Sequence, residues 1–267
     1  MITLMTDFGL VDPSVGACHG VLASIAPGVP VADIGHQIPP YDIERGARML
    51  EYATPYYPAG TIHVAVVDPG VGTVRRGIAL RTQRGNVLIG PDNGLLMWAA
   101  DSLGGVAEAV ELREEKYRLH PVSHTFHARD VFCPAAAHLA LGVELRALGP
   151  ALDAGALHRL HREAPAVVKG EISAPVATIA TFGNCHFDVL QEHWQSAGLS
   201  GQPTVTMEAD GRSWDLPYRQ TFGDVPAGTG LLLEDSFGRL CLAVNQGDAR
   251  AQFGLRLGTR VRFRQVR

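Results

Sequence analysis

Two aspartates stand where apolar runs give way to loops: Asp7 just after Ile2–Met5 and Asp68 just after Thr61–Val67. Asp68 opens the stretch Asp68-Pro69-Gly70-Val71-Gly72-Thr73-Val74-Arg75. Such a tight, glycine-rich turn can bring a carboxylate and a guanidinium into one pocket, where pairing keeps the carboxylate ionised. A carboxylate held that way can act as a general base. The same Asp-Pro-Gly also reads as an ordinary turn whose Asp accepts backbone N–H bonds. His127 lies in His124-Thr125-Phe126-His127-Ala128-Arg129-Asp130, just ahead of a helical segment, with Asp130 placed as an N-cap. The chain has 11 histidines, and a lone one at such a position is more often structural than catalytic.

Loop residues need a scaffold that gathers them, and in open α/β sheets ligands collect at the carboxyl ends of strands. The first part of the chain has that rhythm. Strands are expected at Ile2–Met5, Val29–Ile34, Thr61–Val67, Ile78–Arg81 and Val87–Gly90. Helices are expected at Ser14–Ile25, Asp42–Tyr52, Asn93–Ala100 and Asp130–Leu141; in the second of these Ile43, Ala47 and Leu50 share a face. The pattern predicts an α/β domain with a mainly parallel sheet over residues 1–150. Residues 151–166, rich in Ala, His and Arg, read as a linker. Residues 167–267 carry short strand-like runs punctuated by Gly and Pro, which predicts a smaller all-β, barrel-like domain.

Composition narrows the function. The chain has 267 residues and a formal charge of −4, so a basic nucleic-acid footprint is not expected and a small-molecule site is. The four cysteines, Cys18, Cys133, Cys185 and Cys241, match no zinc spacing and read as reduced thiols of a cytoplasmic protein. No secretory signal and no membrane span are expected. There is no G-x-G-x-x-G after the first strand, no P-loop, no G-x-S-x-G elbow and no H-E-x-x-H. His120 and His124 have i, i+4 spacing, but Pro121 between them argues against a helix and a metal pair. No metal and no cofactor are expected.

The ordered set of motifs nevertheless resembles the S-adenosylmethionine hydroxide adenosyltransferase family, relatives of the halogenating enzymes that attack the same substrate. The motifs are Thr6-Asp7-Phe8-Gly9 with Asp12 and Ser14; Asp33-Ile34-Gly35-His36 with Pro40-Tyr41-Asp42-Ile43; Val67-Asp68-Pro69-Gly70-Val71-Gly72 with Arg75; Gly90-Pro91-Asp92-Asn93-Gly94; and Thr125-Phe126-His127-Ala128-Arg129-Asp130. In the second domain they are Phe182-Gly183-Asn184, Ser236-Phe237-Gly238 and Ala243-Val244-Asn245-Gln246-Gly247. The resemblance spans nearly the whole chain. It implies an N-terminal α/β domain and a C-terminal β-barrel, in a homotrimer with sites at subunit interfaces. The reaction it implies is hydrolysis of S-adenosylmethionine (SAM) to adenosine and L-methionine, with SAM as substrate rather than cofactor.

The resemblance also assigns roles. It makes Asp68, Arg75 and His127 the catalytic set. It gives Asp7 the ribose hydroxyls, Asp12 and Ser14 the methionine end, and Tyr41 the packing on the ribose. Phe182, Asn184, Val244 and Asn245 hold the adenine, and Ser236 belongs to the same binding set. Two departures stand out. Thr178-Ile179-Ala180-Thr181 lacks the acid that usually precedes Phe-Gly-Asn, and Phe187-Asp188 replaces a Thr-Asn pair. Asp188 is therefore a candidate for the missing carboxylate, while Asn184 also reads as a plain turn residue. Two alternatives remain at this level: a halogenase-like adenosyltransferase, and a SAM- or nucleoside-binding protein with little turnover.

Overall fold

A computed structural model describes residues 1–266. The strands are β1 (Ile2–Thr6), β2 (Val31–Gly35), β3 (Ile62–Val66), β4 (Gly77–Thr82), β5 (Val87–Pro91), β6 (Val106–Glu111), β7 (Ala166–Val168), β8 (Glu171–Ile179), β9 (Cys185–Leu190), β10 (Thr204–Ala209), β11 (Arg212–Pro217), β12 (Gly230–Glu234), β13 (Arg239–Val244) and β14 (Arg260–Gln265). The α-helices are α1 (Ser14–Ile25), α2 (Ile43–Ala53), α3 (Met97–Ser102), α4 (Cys133–Ala140), α5 (Gln191–Ser196) and α6 (Ala249–Phe253). The chain divides into two compact units, Met1–His161 and the residues from Arg162 onward.

The first unit is built on a six-stranded sheet of order β2-β1-β3-β5-β4-β6. The pairs β1–β2, β1–β3 and β3–β5 are parallel, and β4 runs antiparallel to both its neighbours. Its central strands are buried on both faces, so their sequences are mainly apolar, with buried Thr3 and His63 paired to each other. Alternate residues then serve opposite cores. Ile2, Leu4, Val64, Val66 and Ile89 join α1 and α4 on one face. Met5, Ala65, Val67 and Leu88 join α2 and α3 on the other. The result is a three-layer α/β/α unit.

The connections matter for function. β1 passes through α1 to β2 on one side, and β2 returns through α2 to β3 on the other side of β1. α1 and α2 cover opposite faces, so a crevice opens between the carboxyl ends of β1 and β3. Asp7 and Asp68 follow those two ends.

The second unit is an all-β sheet of order β11-β10-β14-β8-β9-β13-β12, with β7 added on β8. All its named pairs are antiparallel, and a bridge from Tyr218 to Leu232 draws the two ends together into a nearly closed barrel. Ile172, Val205, Met207, Phe187, Leu242 and Phe263 fill the interior, with Trp194 and Phe253 among them.

Several expectations shift. Asp130 is not an N-cap: it is buried inside a π turn over Ala128–Phe132 that precedes α4, and its carboxylate accepts Ser123 N at 2.8 Å and the Arg129 guanidinium. The helix read from Asn93 begins only at Met97, because Asn93 Nδ2 donates to Val67 O at 2.8 Å and holds the preceding loop against the end of β3. β6 and β9 are additional strands with mixed polar and apolar residues. Residues 151–160 are bonded to the first unit through Leu152 N to Ala109 O and His158 N to Asp92 Oδ1, at 2.8 and 2.9 Å.

One core histidine gives the first unit an acid sensitivity. His63 is buried in β3, donating from Nδ1 to Thr3 Oγ1 at 2.8 Å while Asn86 Nδ2 approaches Nε2 at 3.3 Å. Burial, helped by the Arg84 charge, lowers its pKa from 6.5 to about 4. The fold therefore favours neutral His63, and that stability is present above pH 6.5 and lost as pH falls towards 4. Chemical unfolding at pH 7 and pH 4 should show a loss of up to about 3 kcal/mol from this group, which His63→Gln should reduce.

Candidate functional site

The crevice is a cleft of about 320 Å³ lined by Asp7, Phe8, Pro40, Tyr41, Val66, Asp68, Val71, Thr125, Phe126 and His127. Four segments meet there: the loops after β1 and β3, the turn before α2, and the segment before α4. Phe8 and Phe126 meet edge to face across it, with ring centroids 5.8 Å apart.

Arg75 joins the Asp68 loop to the His127 loop. Its Nε donates to Asp68 Oδ1 at 3.0 Å and its Nη2 to Asp68 Oδ2, a two-pronged pair. The same Nη2 lies 3.2 Å from His127 Nδ1. Arginine only donates, so Nδ1 is an acceptor and neutral His127 carries its hydrogen on Nε2. The guanidinium stacks over Phe132, 5.5 Å from the ring centroid, and the side chain is only 9% exposed. Burial raises the Asp68 carboxyl above its ordinary value, against the pull of Arg75. Burial and the neighbouring Arg75 charge lower His127 below its ordinary 6.5. The pair thus offers a base of increased proton affinity beside a neutral imidazole donor.

Backbone geometry permits this meeting. Gly72 has φ +75°, and a Cβ there would sit 2.1 Å from His124 O. Only glycine lets the two loops approach so closely. Thr73 Oγ1 donates to Gly70 O at 2.6 Å and tightens the same turn.

On the opposite side, Asp7 Oδ2 accepts Tyr41 N at 2.9 Å. Tyr41 has φ +68° and is 72% exposed, so its ring stands at the cleft mouth. Asp12 and Ser14 lie at the start of α1, with Ser14 N donating to Asp12 Oδ1 at 2.8 Å. That bond, with a second from the Ser14 side chain, lowers the pKa of exposed Asp12. The cleft gathers Asp7, Tyr41, Asp68 and His127, with Arg75 behind them, while Asp12 and Ser14 pair with each other at the helix start.

The remaining candidates lie in the second unit. Phe182 is 80% exposed in the turn between β8 and β9, and Asn184 O accepts Ala180 N at 2.9 Å. Ser236 is exposed in the β12–β13 turn, which Asp235 organises by accepting Phe237 N and Arg239 N at 2.8 and 3.0 Å. Val244 ends β13 in the core, and Asn245 Nδ2 donates to Val225 O at 2.7 Å. Asp188 is buried on β9, where its carboxylate meets Arg239 at 3.1 Å and Arg162 at 4.0 Å. Its charge is thus engaged with two guanidinium groups, as placed.

Sequence reasoning did not single out Phe8, Val71, Thr125, Phe126 or Phe132. The first four wall the cleft and the last supports Arg75. Their signal was adjacency to the polar residues within the same motifs.

An α/β unit with a carboxylate–guanidinium–imidazole cluster in its strand-end crevice, followed by a β-barrel unit, defines a class of small-molecule enzymes. The family model described as the SAM hydroxide adenosyltransferase N-terminal domain matches residues 2–149, and that of the C-terminal domain matches residues 174–262. The chain belongs to the SAM hydroxide adenosyltransferase family. It is 44% identical over 265 residues to an (R)-S-adenosyl-L-methionine hydrolase of Salinispora tropica, covering 98% of this chain and 96% of that protein. It is 30% identical to a fluorinase of an Actinoplanes species, covering 98% and 96% of the two chains. The crystal structure of an uncharacterized conserved protein from Thermotoga maritima superposes with a TM-score of 0.94 at 31% identity, covering 99% of this chain and 100% of that one.

Two outcomes follow from the geometry. Gly72→Ala should destabilise the protein by roughly 2 kcal/mol or more, through the positive φ and the displaced loop, as read by chemical unfolding. By NMR titration, His127 should titrate below 6.5 in the wild type and move upward in Arg75→Gln, which removes a cation and leaves Asp68 unneutralised.

Proposed function

We propose that this chain hydrolyses S-adenosyl-L-methionine to adenosine and L-methionine by in-line attack of an activated water at C5′. The observation that carries this reading is the Asp68–Arg75–His127 cluster, with Asp68 and His127 lining the same cleft as Asp7, in a chain of this family. The sulfonium is already a good leaving group. As the O–C5′ bond forms, the C5′–S bond breaks, its electron pair goes to sulfur, and neutral methionine departs. The enzyme's task is to place a water in line with that bond and take its proton.

Asp68 is the base. Its raised proton affinity makes it a better acceptor of the proton from water than an ordinary carboxylate. Arg75 holds both its oxygens and fixes the His127 tautomer. It also offsets the negative charge that develops on the nucleophile. His127 offers Nε2–H as a donor to the attacking oxygen. Asp7 takes the ribose hydroxyls and Tyr41 covers the ribose; Asp12 and Ser14 meet the methionine end. No cofactor enters, because the electrophile carries its own activation.

The adenine side falls to Phe182, Asn184, Ser236, Val244 and Asn245, supplied by a neighbouring subunit of a homotrimer. The exposed aromatic at Phe182 supports this, because an unburied phenylalanine on a turn is ready to be covered. Asp188 is paired with Arg239 and Arg162, and we give it a supporting place beside the binding set rather than a direct substrate contact. Among the described residues no helix is long and apolar enough to cross a membrane. We place the protein in the cytoplasm, which its four free, buried thiols support.

Purified protein incubated with SAM in ¹⁸O-water, with and without chloride, should give adenosine labelled at the 5′ oxygen in both cases. Asp68→Asn should lower turnover by about 10²–10⁴-fold. A 5′-chloro product, or near-wild-type turnover in Asp68→Asn, would overturn the assignment.

A further inference from the structure

A second polar cluster lies among residues that do not line the cleft, between α1 and the edge strand β2. His19 of α1 reaches Asp33 of β2, with Nε2 2.9 Å from Oδ1. His36, just past the end of β2, directs its own Nε2 to the same oxygen at 3.1 Å. One donor atom from each of the three residues lies within 4.8 Å of the others. Two imidazoles thus converge on one carboxylate oxygen.

The state of His36 points to a ligand. Its side chain is 3% exposed, and Nε2 is buried without a hydrogen bond, although Asp33 Oδ1 is near. Its Nδ1 lies 2.9 Å from Thr6 Oγ1, and that hydroxyl also accepts Phe8 N at 3.2 Å. When Thr6 accepts from Nδ1–H, the Nε2 lone pair faces a carboxylate oxygen, which repels it unless a proton or a metal cation lies between them. Histidine ligands of metals usually have the second ring nitrogen hydrogen-bonded in this way, which sets the tautomer and aims the ring.

We propose that His19, Asp33 and His36 form a binding site for a borderline divalent transition cation of the zinc type. Two neutral imidazoles and one carboxylate are the donor set such an ion takes, with water in the remaining position. Donor atoms around tetrahedral zinc stand roughly 3.3 Å apart, so the observed spacing needs only small side-chain shifts. Asp33 and His19 have side-chain exposures of 42% and 35%, which gives an entry path and room for water. Magnesium does not fit, because it demands oxygen ligands in near-octahedral array. The ion would be structural. It would tie α1 to the end of β2, and through Thr6 and the Gly9 N–His36 O bond of 2.8 Å it would brace the loop that carries Asp7. This site is independent of the reaction assigned to the cleft.

The test is zinc binding by chelator-treated full-length protein, read by indicator competition and by thermal unfolding. The expected result is one tight equivalent per chain with a raised Tm, no comparable effect of magnesium, and at least ten-fold weaker binding in both His19→Ala and Asp33→Asn. His19 is partly exposed on a helix that tolerates alanine, so that variant should fold, which circular dichroism checks. His158→Ala, an exposed histidine elsewhere, should bind as the wild type does. Absence of tight zinc binding by the wild type, or unchanged affinity in His19→Ala, would overturn the site.

Discussion

One guanidinium organises the cleft. Arg75 grips both oxygens of Asp68 and the Nδ1 of His127, so a single planar donor fork sets the position of two groups from loops over fifty residues apart in sequence. Arginine suits this place because its donors lie in a fixed plane and its charge does not titrate. Burial over Phe132 strengthens the hold by excluding water. The same burial would make an unpaired Asp68 or Arg75 costly, so the three groups stand or fall together.

That interaction depends on the sheet topology. The order β2-β1-β3 reverses direction at β1, and the helices leave the carboxyl ends of β1 and β3 uncovered. Asp7 and Asp68 are loop residues in sequence terms, yet they become neighbours because parallel strands end on the same edge. Gly72 then allows the third loop to close from above. A π turn before α4 places His127 at the rim and buries Asp130 as the clamp of its own loop.

Burial also sets the proton affinities in the cleft. Burial raises the proton affinity of Asp68 and lowers that of His127, so the two groups flanking Arg75 are shifted in opposite directions. In the second unit the opposite solution appears: Asp188 is surrounded by Arg239 and Arg162, which neutralises it in place.

The sequence by itself determined much of the plan. Largely apolar runs at Ile2–Met5 and Thr61–Val67 marked buried parallel strands, because strands covered on both faces have no solvent face to line with charged residues. The bounds of α1 were legible from its apolar spacing and the Pro27-Gly28 that follows it. The ordered motifs carried the family and with it Asp68, Arg75 and His127. Strands β6 and β9 were not legible, since their mixed patterns gain stability from partners distant in sequence. Asp130 reads locally as a cap, and only its burial against Ser123 and Arg129 reveals otherwise. The tautomer of His127, the engagement of Asp188, and the meeting of His19 with Asp33 and His36 were decided by tertiary structure alone. Each depends on which side chain a long-range contact brings within hydrogen-bonding distance, and spacing along a chain does not encode that distance.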